Sequence, residues 1–257
     1  MADDADDLPF WLPHPGERAI VIGQTGSGKT TLNLTLLRWL PNSPVVVYDT
    51  KEEPKFELLP NHRLAYSPEE VDDAVDDQGV DYVIYRPAID LLTDWRELDD
   101  LLTRHYHEYR GVDAYIDELF SFHGNAGTYG KGLNALYTRG RSRGITLIGS
   151  TQRPARISQF ALSEAQHVYL FHLNKSRDRK KVSDDTGMEE MPNPPKFHFW
   201  HYRTDEPFAP PVLIEPVTLP AGAELGYTDP LPADAEAEPT TEIGHVWIGE
   251  RNFLSLR

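Results

Sequence analysis

The chain of 257 residues contains no cysteine, which excludes disulfide bonds, thiolate zinc sites and catalysis by a thiol. It has no apolar run near the roughly 18 to 20 residues that a membrane-spanning helix needs. The first residues, Met1–Asp7, are acidic where a secretory signal is basic and then apolar. With hydrophobic residues at 39%, the chain can form a packed core, so global disorder is also excluded. We therefore expect a soluble, cytoplasmic protein without a membrane segment.

Positive charge is scarce, because 25 Lys and Arg stand against 41 Asp and Glu, a formal net charge of −16. Such a balance usually argues against a nucleic-acid partner. The distribution weakens that argument, since ten basic residues face two acidic ones between Arg139 and Lys181. From Asp205 to Arg257 the balance reverses to ten acidic residues and two arginines. The basic middle either forms one positive face or is a helix that merely meets solvent.

Short apolar runs alternate with amphipathic or charged stretches, a pattern typical of a mostly parallel α/β sheet with helices on both faces. The predicted strands are Arg18–Ile22, Val45–Tyr48, Asp81–Arg86, Val112–Ile116, Ile145–Gly149 and His167–Phe171. The predicted helices are Thr30–Leu40, stopped by Pro41, then Thr93–Tyr109 with Thr93 as N-cap, Lys131–Arg143, and a charged helix from about Lys175.

The character of the sequence changes after Gly187. Lys196–Tyr202 and Val212–Glu215 flank a turn and predict a C-terminal β-hairpin. Beyond about Leu219 the chain is rich in proline, alanine and acidic residues, which predicts a flexible acidic tail. We therefore expect an acidic extension over 1–17, one domain over 18–218 and a tail over 219–257.

The segment from Gly23 to Thr30, the phosphate loop, matches G-x-x-x-x-G-K-[ST] between a predicted strand and a predicted helix. Its glycines let backbone N–H groups curl around an anion at the helix N-terminus. We expect Lys29 to reach the β- and γ-phosphates of a nucleotide and the Thr30 hydroxyl to ligate Mg²⁺. The candidate nucleotide-binding residues are Gly23, Gln24, Thr25, Gly26, Ser27, Gly28, Lys29, Thr30 and Thr31.

The predicted strand Val112–Ile116 ends on two carboxylates, Asp117 and Glu118, called the acid pair below. Asp117 is the candidate Mg²⁺ ligand, and Glu118 is the candidate group that polarises the attacking water. Such a pair alone is as often a solvated loop start. Its position, well downstream of the phosphate loop with a strand between them, favours the ATPase branch with the RecA-like (ASCE) fold. ATP and Mg²⁺ are thus the expected cofactors.

The predicted strand at Ile145–Gly149 leads into Ser150-Thr151-Gln152-Arg153-Pro154. A polar amide at a strand end beside the acid pair is suited to sensing the γ-phosphate or positioning water, so Gln152 is a further candidate catalytic residue. The alternative is that the Gln152 side chain only caps a loop.

Taken together, these motifs resemble the HerA/FtsK superfamily of DNA-pumping ATPases, and within it the small viral genome-packaging ATPases. FtsK-type translocases carry a winged-helix module and membrane anchors, and HerA itself carries an N-terminal barrel. Only 17 residues precede Arg18, so we expect neither arrangement before it. The resemblance runs from about Arg18 to Glu215 and depends on Gly23–Thr30, Asp49–Lys51, Tyr115–Glu118, Gly140–Gly144, Ser150–Pro154 and Phe160–Phe171.

This resemblance implies a ring motor, a pentamer or hexamer, that binds ATP between subunits and pulls double-stranded DNA through its centre. It implies an arginine that reaches the neighbouring subunit's site, with Arg141 as the best match and Arg143 second. Asp49 and Lys51 are expected to have a structural role near the subunit edge. For a viral protein, a portal or capsid-vertex protein is the expected docking partner, and the host cytoplasm or the virion is the expected location.

The DNA-contacting residues implied by the resemblance are basic side chains that touch phosphates without reading bases. The glycine-rich segment Ser121–Lys131 is the candidate pore loop, with Lys131 as its cation. Lys175 and Arg177 on the charged helix are the second candidates. An ordinary mobile loop and a solvated helix face remain the respective alternatives.

The sequence also bears on four other functions. A GTPase fails because Arg177 takes the place of the aspartate in N-K-x-D, and because Glu-Leu-Phe after Asp117 does not match D-x-x-G. A nucleotide kinase lacks an evident arginine-rich lid. A non-catalytic assembly protein would not need the full set of Lys29, Thr30, Asp117 and Glu118. A plasmid or cellular translocase of the same superfamily, acting in conjugation or defence, remains the main alternative.

Overall fold

A computed structural model describes residues 9–40, 42–125 and 128–218, with only the backbone described at 124–125 and 128–129. The acidic residues Met1–Asp7, the helix-stopping role of Pro41 and the tail 219–257 lie outside these residues. The proposed division into extension, domain and tail therefore stays a prediction. None of the helices in the described part of the chain is both long enough and apolar enough to cross a membrane.

A nine-stranded sheet forms the centre of the described residues, in the order β11-β10-β9-β1-β8-β5-β2-β4-β3. Every neighbouring pair from β9 to β3 is parallel, whereas β10 pairs antiparallel with both β9 and β11. The predicted parallel sheet and C-terminal hairpin are thus confirmed. The strands are β1 (Arg18–Ile22), β2 (Val45–Tyr48), β3 (His62–Ala65), β4 (Tyr82–Tyr85), β5 (Asp113–Ile116), β6 (His123–Asn125), β7 (Thr128–Tyr129), β8 (Leu147–Thr151), β9 (His167–Leu170), β10 (Phe199–Arg203) and β11 (Val212–Ile214).

Helices cover both faces of the sheet, so β1, β2, β4, β5, β8 and β9 are buried along their whole length. Within β1, Ile20 and Ile22 join the core on one face, whereas Ala19 and Val21 join the core on the other. The α/β architecture is confirmed. The helices are α1 (Lys29–Trp39), α2 (Pro68–Val75), α3 (Trp95–Glu108), α4 (Lys131–Arg139), α5 (Gln159–Ser163) and α6 (Ser176–Thr186).

The start of α3 differs from the prediction, because its N-cap is Asp94 and not Thr93. The Asp94 carboxylate accepts a hydrogen bond from the Arg96 N–H at 2.9 Å. Thr93 instead ends a short 3₁₀ turn that begins at Leu91, and its hydroxyl donates to the Asp90 carbonyl at 2.6 Å. The Thr93 hydroxyl is therefore bonded within the preceding turn, and Asp94 caps the helix.

Two further segments differ from their predictions. The helix expected over Lys131–Arg143 ends at Arg139 and continues as a 3₁₀ turn over Gly140–Arg143, called the arginine turn below. The candidate pore loop Ser121–Lys131 contains the two-stranded ladder of β6 and β7. Strand β3 and helices α2 and α5 were not predicted.

The start of α4 is fixed by a residue from another helix. Asp99 of α3 is buried, and its carboxylate accepts hydrogen bonds from the N–H groups of Gly132 and Leu133, each at 2.9 Å. A negative charge at a helix N-terminus stabilises the helix through its dipole and its free N–H groups. The downstream end of the candidate pore loop is therefore anchored to α3.

A histidine cluster, comprising Glu17, His167, His201 and Arg203, lies where the parallel sheet meets the antiparallel hairpin. His167 Nδ1 lies 3.0 Å from His201 Nε2, and His167 Nε2 lies 2.8 Å from Glu17 Oε2. Arg203 donates to Glu17 Oε1 at 2.9 Å. These bonds join the segment before β1 to β9 and β10.

Candidate nucleotide-binding site

The candidate site lies at the carboxyl ends of the parallel strands. Strand β8 separates β1, which leads into the phosphate loop, from β5, which leads into the acid pair. Along the chain, β2, β3 and β4 lie between the two motifs, so the prediction of an intervening strand is confirmed. Because parallel strands end at the same edge, the segments after β1, β5, β8 and β9 meet there.

Glycines shape the phosphate loop. Gly28 is the N-cap residue of α1 with φ of 107°, a left-handed conformation that other residues rarely adopt. A Cβ atom on Gly23 would lie 2.5 Å from the Phe171 Cβ and 2.8 Å from the Ser27 Oγ. Both positions thus require glycine for the loop to turn tightly into α1.

Backbone hydrogen bonds hold the loop against two neighbouring strands. The Gly23 N–H donates to the Thr151 carbonyl at 3.2 Å, and the Gln24 N–H donates to the His172 carbonyl at 3.1 Å. Thr25 and Gly26 at the tip of the loop are exposed, whereas Thr30 and Thr31 on α1 are partly buried. The base of the loop is therefore rigid and its tip faces solvent.

Several polar groups of the loop lack protein partners. Among the described residues, the buried Ser27 Oγ and Gln24 Oε1 atoms have no hydrogen-bond partner. Lys29 is 8% exposed, and its Nζ donates to the Gln24 carbonyl at 3.0 Å. Burial, followed by the positive charge of Lys51, lowers the pKa of Lys29 to about 8. Unpaired buried polar groups around a buried ammonium make this loop suited to an anion.

The acid pair is buried at the end of β5, with Asp117 at 9% and Glu118 at 8% exposure. The Tyr115 hydroxyl donates to Asp117 Oδ1 at 3.1 Å, and the Thr151 hydroxyl donates to Glu118 Oε1 at 2.8 Å. These hydroxyl groups fix the orientation of both carboxylates. Carboxylate and hydroxyl oxygens are ligands that Mg²⁺ prefers, so the donor set of Asp117 and Thr30 fits that ion.

Lys51 reaches the acid pair from the neighbouring strand β2. Its Nζ lies 3.0 Å from Glu118 Oε2 and 3.5 Å from Asp117 Oδ2. Burial acts to lower the pKa of Lys51, but the charges of Asp117 and Glu118 outweigh it, and the pKa is raised. Asp49, by contrast, is buried and bonded to Arg86 Nε at 2.9 Å, contacts that hold the fold together. Sequence analysis missed the contact of Lys51 with the acid pair.

Gln152 contacts the phosphate loop. The Thr25 hydroxyl donates to Gln152 Oε1 at 2.7 Å, which links the loop to the residue after β8. The candidate amide is thus brought to the same edge as Lys29 and the acid pair. Its role there stays a prediction.

The arginine turn lies at the amino ends of the parallel strands, opposite the candidate site. Parallel pairing aligns Arg18 with Leu147 and Ile22 with Thr151, so the turn precedes the amino end of β8, while the phosphate loop follows the carboxyl end of β1. Arg141 is exposed and packs near Gly16, and the Arg143 guanidinium lies 4.8 Å from the centre of the Tyr106 ring. The structure therefore does not bring Arg141 and Arg143 to the phosphate loop of their own chain.

The candidate DNA-contacting residues are exposed. Lys131 is the first residue of α4, Lys175 is the N-cap residue of α6, and Arg177 lies in the first turn of α6. The segments that hold them follow β5 and β9, so they emerge from the same edge of the sheet as the phosphate loop.

An open groove of about 260 Å³ adjoins the phosphate loop. The Phe197 ring forms one wall, and its Cδ1 would lie 3.4 Å from a Cβ on Gly28. Sequence analysis missed this groove, because its far wall comes from the irregular segment between α6 and β10. Its lining residues are Gln24, Gly26, Ser27, His172, Pro195, Lys196 and Phe197.

A strand, phosphate loop and helix, with an acid pair on the next strand but one, define a P-loop NTPase of the RecA-like class. No family model matches the chain. The sequence is 29% identical over 184 residues to the DNA packaging ATPase P9 of Enterobacteria phage PRD1, covering 66% of this chain and 70% of that protein. The resemblance to viral packaging ATPases is therefore confirmed.

Solved structures share the fold. The genome packaging NTPase B204 from Sulfolobus turreted icosahedral virus 2, in complex with ATP-gammaS, has a TM-score of 0.62 at 17% identity, covering 80% of this chain and 100% of B204. VirB4 of Thermoanaerobacter pseudethanolicus has a TM-score of 0.54 at 11% identity, covering 82% of this chain and 92% of VirB4. At these identities the likeness establishes the fold alone.

Proposed function

We propose that this protein is an ATPase that drives double-stranded DNA into a preformed viral capsid. The main observation is that Lys29, the acid pair and Gln152 meet at one sheet edge in a chain related to a phage DNA packaging ATPase. A plasmid or cellular translocase is less well supported, because the similarity to VirB4 establishes only the fold.

The nucleotide binds with its phosphates in the phosphate loop. The loop N–H groups and Lys29 hold the β- and γ-phosphates, and Thr31 lies beside them on α1. Asp117 and Thr30 would hold Mg²⁺, which would neutralise charge on the phosphates. The base lies in the groove against Phe197, which offers an aromatic surface 45% exposed to solvent.

Glu118 accepts a proton from the attacking water. The water oxygen bonds to the γ-phosphorus while the bond to the β–γ bridging oxygen breaks, which releases ADP and phosphate. The Thr151 hydroxyl keeps the Glu118 carboxylate oriented, and Gln152 positions the water or senses the γ-phosphate. The burial of Glu118 supports this role, since a buried base acts where bulk water is excluded.

Arg141, with Arg143 as second candidate, completes the site of a neighbouring subunit. The position of the arginine turn, opposite the phosphate loop of the same chain, supports action in trans within a pentameric or hexameric ring. Such arginines accelerate phosphoryl transfer by about 10³-fold or more.

The trans role can be tested in mixed rings of Arg141→Ala and Glu118→Gln subunits. Interfaces that combine an intact Glu118 with an intact Arg141 should recover hydrolysis. Co-assembled rings without recovery would refute the trans role.

Lys131, Lys175 and Arg177 contact DNA phosphates. Their exposure supports this role, and backbone contacts without base readout predict binding that is independent of sequence and falls steeply with salt. The excess of negative charge elsewhere repels DNA from other surfaces. A portal or capsid-vertex protein is the proposed docking partner, and the host cytoplasm or the virion is the proposed location.

The function is tested by ATPase rates with and without double-stranded DNA, together with electron microscopy for rings. We expect DNA to stimulate hydrolysis and the stimulation to fade with added salt. Lys131→Glu should lower the ratio of stimulated to basal activity, whereas Lys131→Arg should keep it. If DNA does not change the ATPase rate and does not bind to the protein at low salt, the proposal is contradicted.

A further inference from the structure

Each carboxylate oxygen of the acid pair has a partner. Lys51 differs from the other partners because its side chain is long and partly exposed to solvent. Tyr115 and Thr151 supply one hydroxyl each to Asp117 Oδ1 and Glu118 Oε1, and both residues are fully buried. Lys51 supplies the partner of both remaining oxygens, and its side chain is 38% exposed. Two oxygens are thus bound by fixed groups and two by a long side chain that has access to solvent.

The backbone that positions Lys51 is well anchored. Asp49 accepts a hydrogen bond from the Glu53 N–H at 2.9 Å and pairs with Arg86, and both are buried. Movement of the Lys51 ammonium therefore requires only rotation of its own side chain, which is a fast and small change.

Lys51 is less stable beside the acid pair after additional positive charge has entered the site. Burial is the largest cause of the lowered pKa of Lys29, and the positive charge of the nearby Lys51 is the second. A divalent cation at Asp117 would add a third positive centre and would use the carboxylate that Lys51 now shares.

We propose that Lys51 is a displaceable counter-ion of the acid pair, which gives way when a divalent cation enters with the nucleotide. This inference rests on the proposed nucleotide-binding function. Displacement of Lys51 frees Glu118 Oε2, the oxygen at 3.0 Å from the ammonium, to face the attacking water. Lys51 is therefore a positioning residue that keeps the Glu118 carboxylate paired until the nucleotide and its divalent cation bind.

The test uses the full chain and a fluorescent ATP analogue whose binding is titrated with MgCl2. Lys51→Met removes the competing charge, so we expect the Mg²⁺ concentration for half-maximal tight binding to fall by about fivefold, the size of effect typical of a partly exposed ion pair. Lys51→Arg keeps the charge and should stay within about twofold of the parent protein. The matched control is Arg63→Met, which removes one cation from β3 at the far edge of the sheet.

Two results would overturn the proposal. If Lys51→Met raises the Mg²⁺ requirement, Lys51 is a ligand of the nucleotide; if the requirement is unchanged, Lys51 only joins β2 to β5. Failure of the parent protein to bind the analogue at any Mg²⁺ concentration would instead refute the proposed function. Thermal unfolding of each variant checks that it is folded.

Discussion

Two clusters of buried charged or titratable groups differ in how their partners are supplied. In the histidine cluster, both ring nitrogens of His167 and both carboxylate oxygens of Glu17 have partners from ordered segments next to the sheet. At the nucleotide site, Ser27 and Gln24 have buried atoms without partners among the described residues, and two of the four oxygens of the acid pair are bound only by a solvent-accessible lysine. One cluster is complete, and the other has room for further ligands.

This difference distinguishes a structural network from a binding site more clearly than burial does. Glu118 is buried and the Arg203 side chain is only 16% exposed, but Arg203 is bound by Glu17 and by Asp205, so a ligand would gain nothing by displacing it. Incomplete hydrogen bonding within a buried polar cluster costs stability, and a ligand that completes it binds more tightly for that reason. The two clusters should therefore respond to mutation in opposite ways.

The largest expected effect is on catalysis at the incomplete cluster. Glu118→Gln should lower single-turnover hydrolysis by roughly 10²- to 10⁴-fold, because an amide still accepts the Thr151 hydrogen bond but takes no proton. Binding of a fluorescent ATP analogue should change by less than about tenfold, since the loop contacts remain. Hydrolysis at the parent rate would show that another group is the base.

A second large effect is on binding. Lys29→Ala should weaken ATP analogue binding by at least about 100-fold, because a charge-assisted contact to phosphate is lost from a buried position. The urea midpoint should hold or rise, since the buried ammonium has no carboxylate partner within the ion pairs of the described residues. Arg63→Ala is the control and should bind normally. A large loss of stability in Lys29→Ala would mean that the lysine is structural.

The complete cluster should respond in stability. Burial acts to raise the pKa of Glu17, but hydrogen bonds from His167, the His14 N–H and Arg203 overcome it and lower the pKa to about 2. A carboxylate with a lowered folded pKa adds stability above its unfolded pKa of about 4.5, and this stability is lost as pH falls toward 2.

Glu17→Gln should thus lower the free energy of unfolding by about 2 kcal/mol at pH 7, a figure that allows for screening of a partly exposed group. The variant should also lose less stability than the parent between pH 5 and pH 3. Urea unfolding at several pH values measures both, and analogue affinity at pH 7 should not change. Parallel pH curves for variant and parent would contradict this account of the cluster.

The smallest expected effect concerns the groove. Phe197→Ala should weaken binding of the ATP analogue by about fivefold, because an aromatic contact with the base is worth roughly 1 kcal/mol. Binding of inorganic tripolyphosphate, which has no base, should be unaffected. Equal weakening of both ligands would indicate that Phe197 supports the phosphate loop instead, since its ring lies close to Gly28.

Local sequence patterns predicted the parts of the fold that depend on local chemistry. Strands β1 and β2 have the predicted bounds, and the phosphate loop lies between β1 and α1 because its glycines permit that turn. Strand β3, with its mixed burial at the edge of the sheet, lacks the continuous apolar run that marked the central strands. Asp94 was missed because Thr93, directly before it, is also a residue type found at N-caps.

What local patterns could not predict depends on the order of strands in the sheet. Lys51 meets Glu118 only because β2 lies next to β5, although α2, α3 and two strands separate them along the chain. The groove likewise requires Phe197, near the hairpin, to pack beside Gly28. The reach of Arg141 to another subunit stays a prediction, because it concerns two copies of the chain.

Helix α4 runs from the side of the sheet where the parallel strands end to the side where they begin, because it lies between β5 and β8. It begins at Lys131, the DNA-contacting candidate, and the arginine turn with Arg141 follows directly on its last residue. Nine residues of α-helix span about 14 Å. If the proposed roles of Lys131 and Arg141 hold, this helix joins a DNA contact to the arginine of a neighbouring site, and because Asp99 ties its start to α3, a displacement by DNA would move α3 and α4 together. DNA contact and completion of the neighbouring site would then be coupled through a single helix of each subunit.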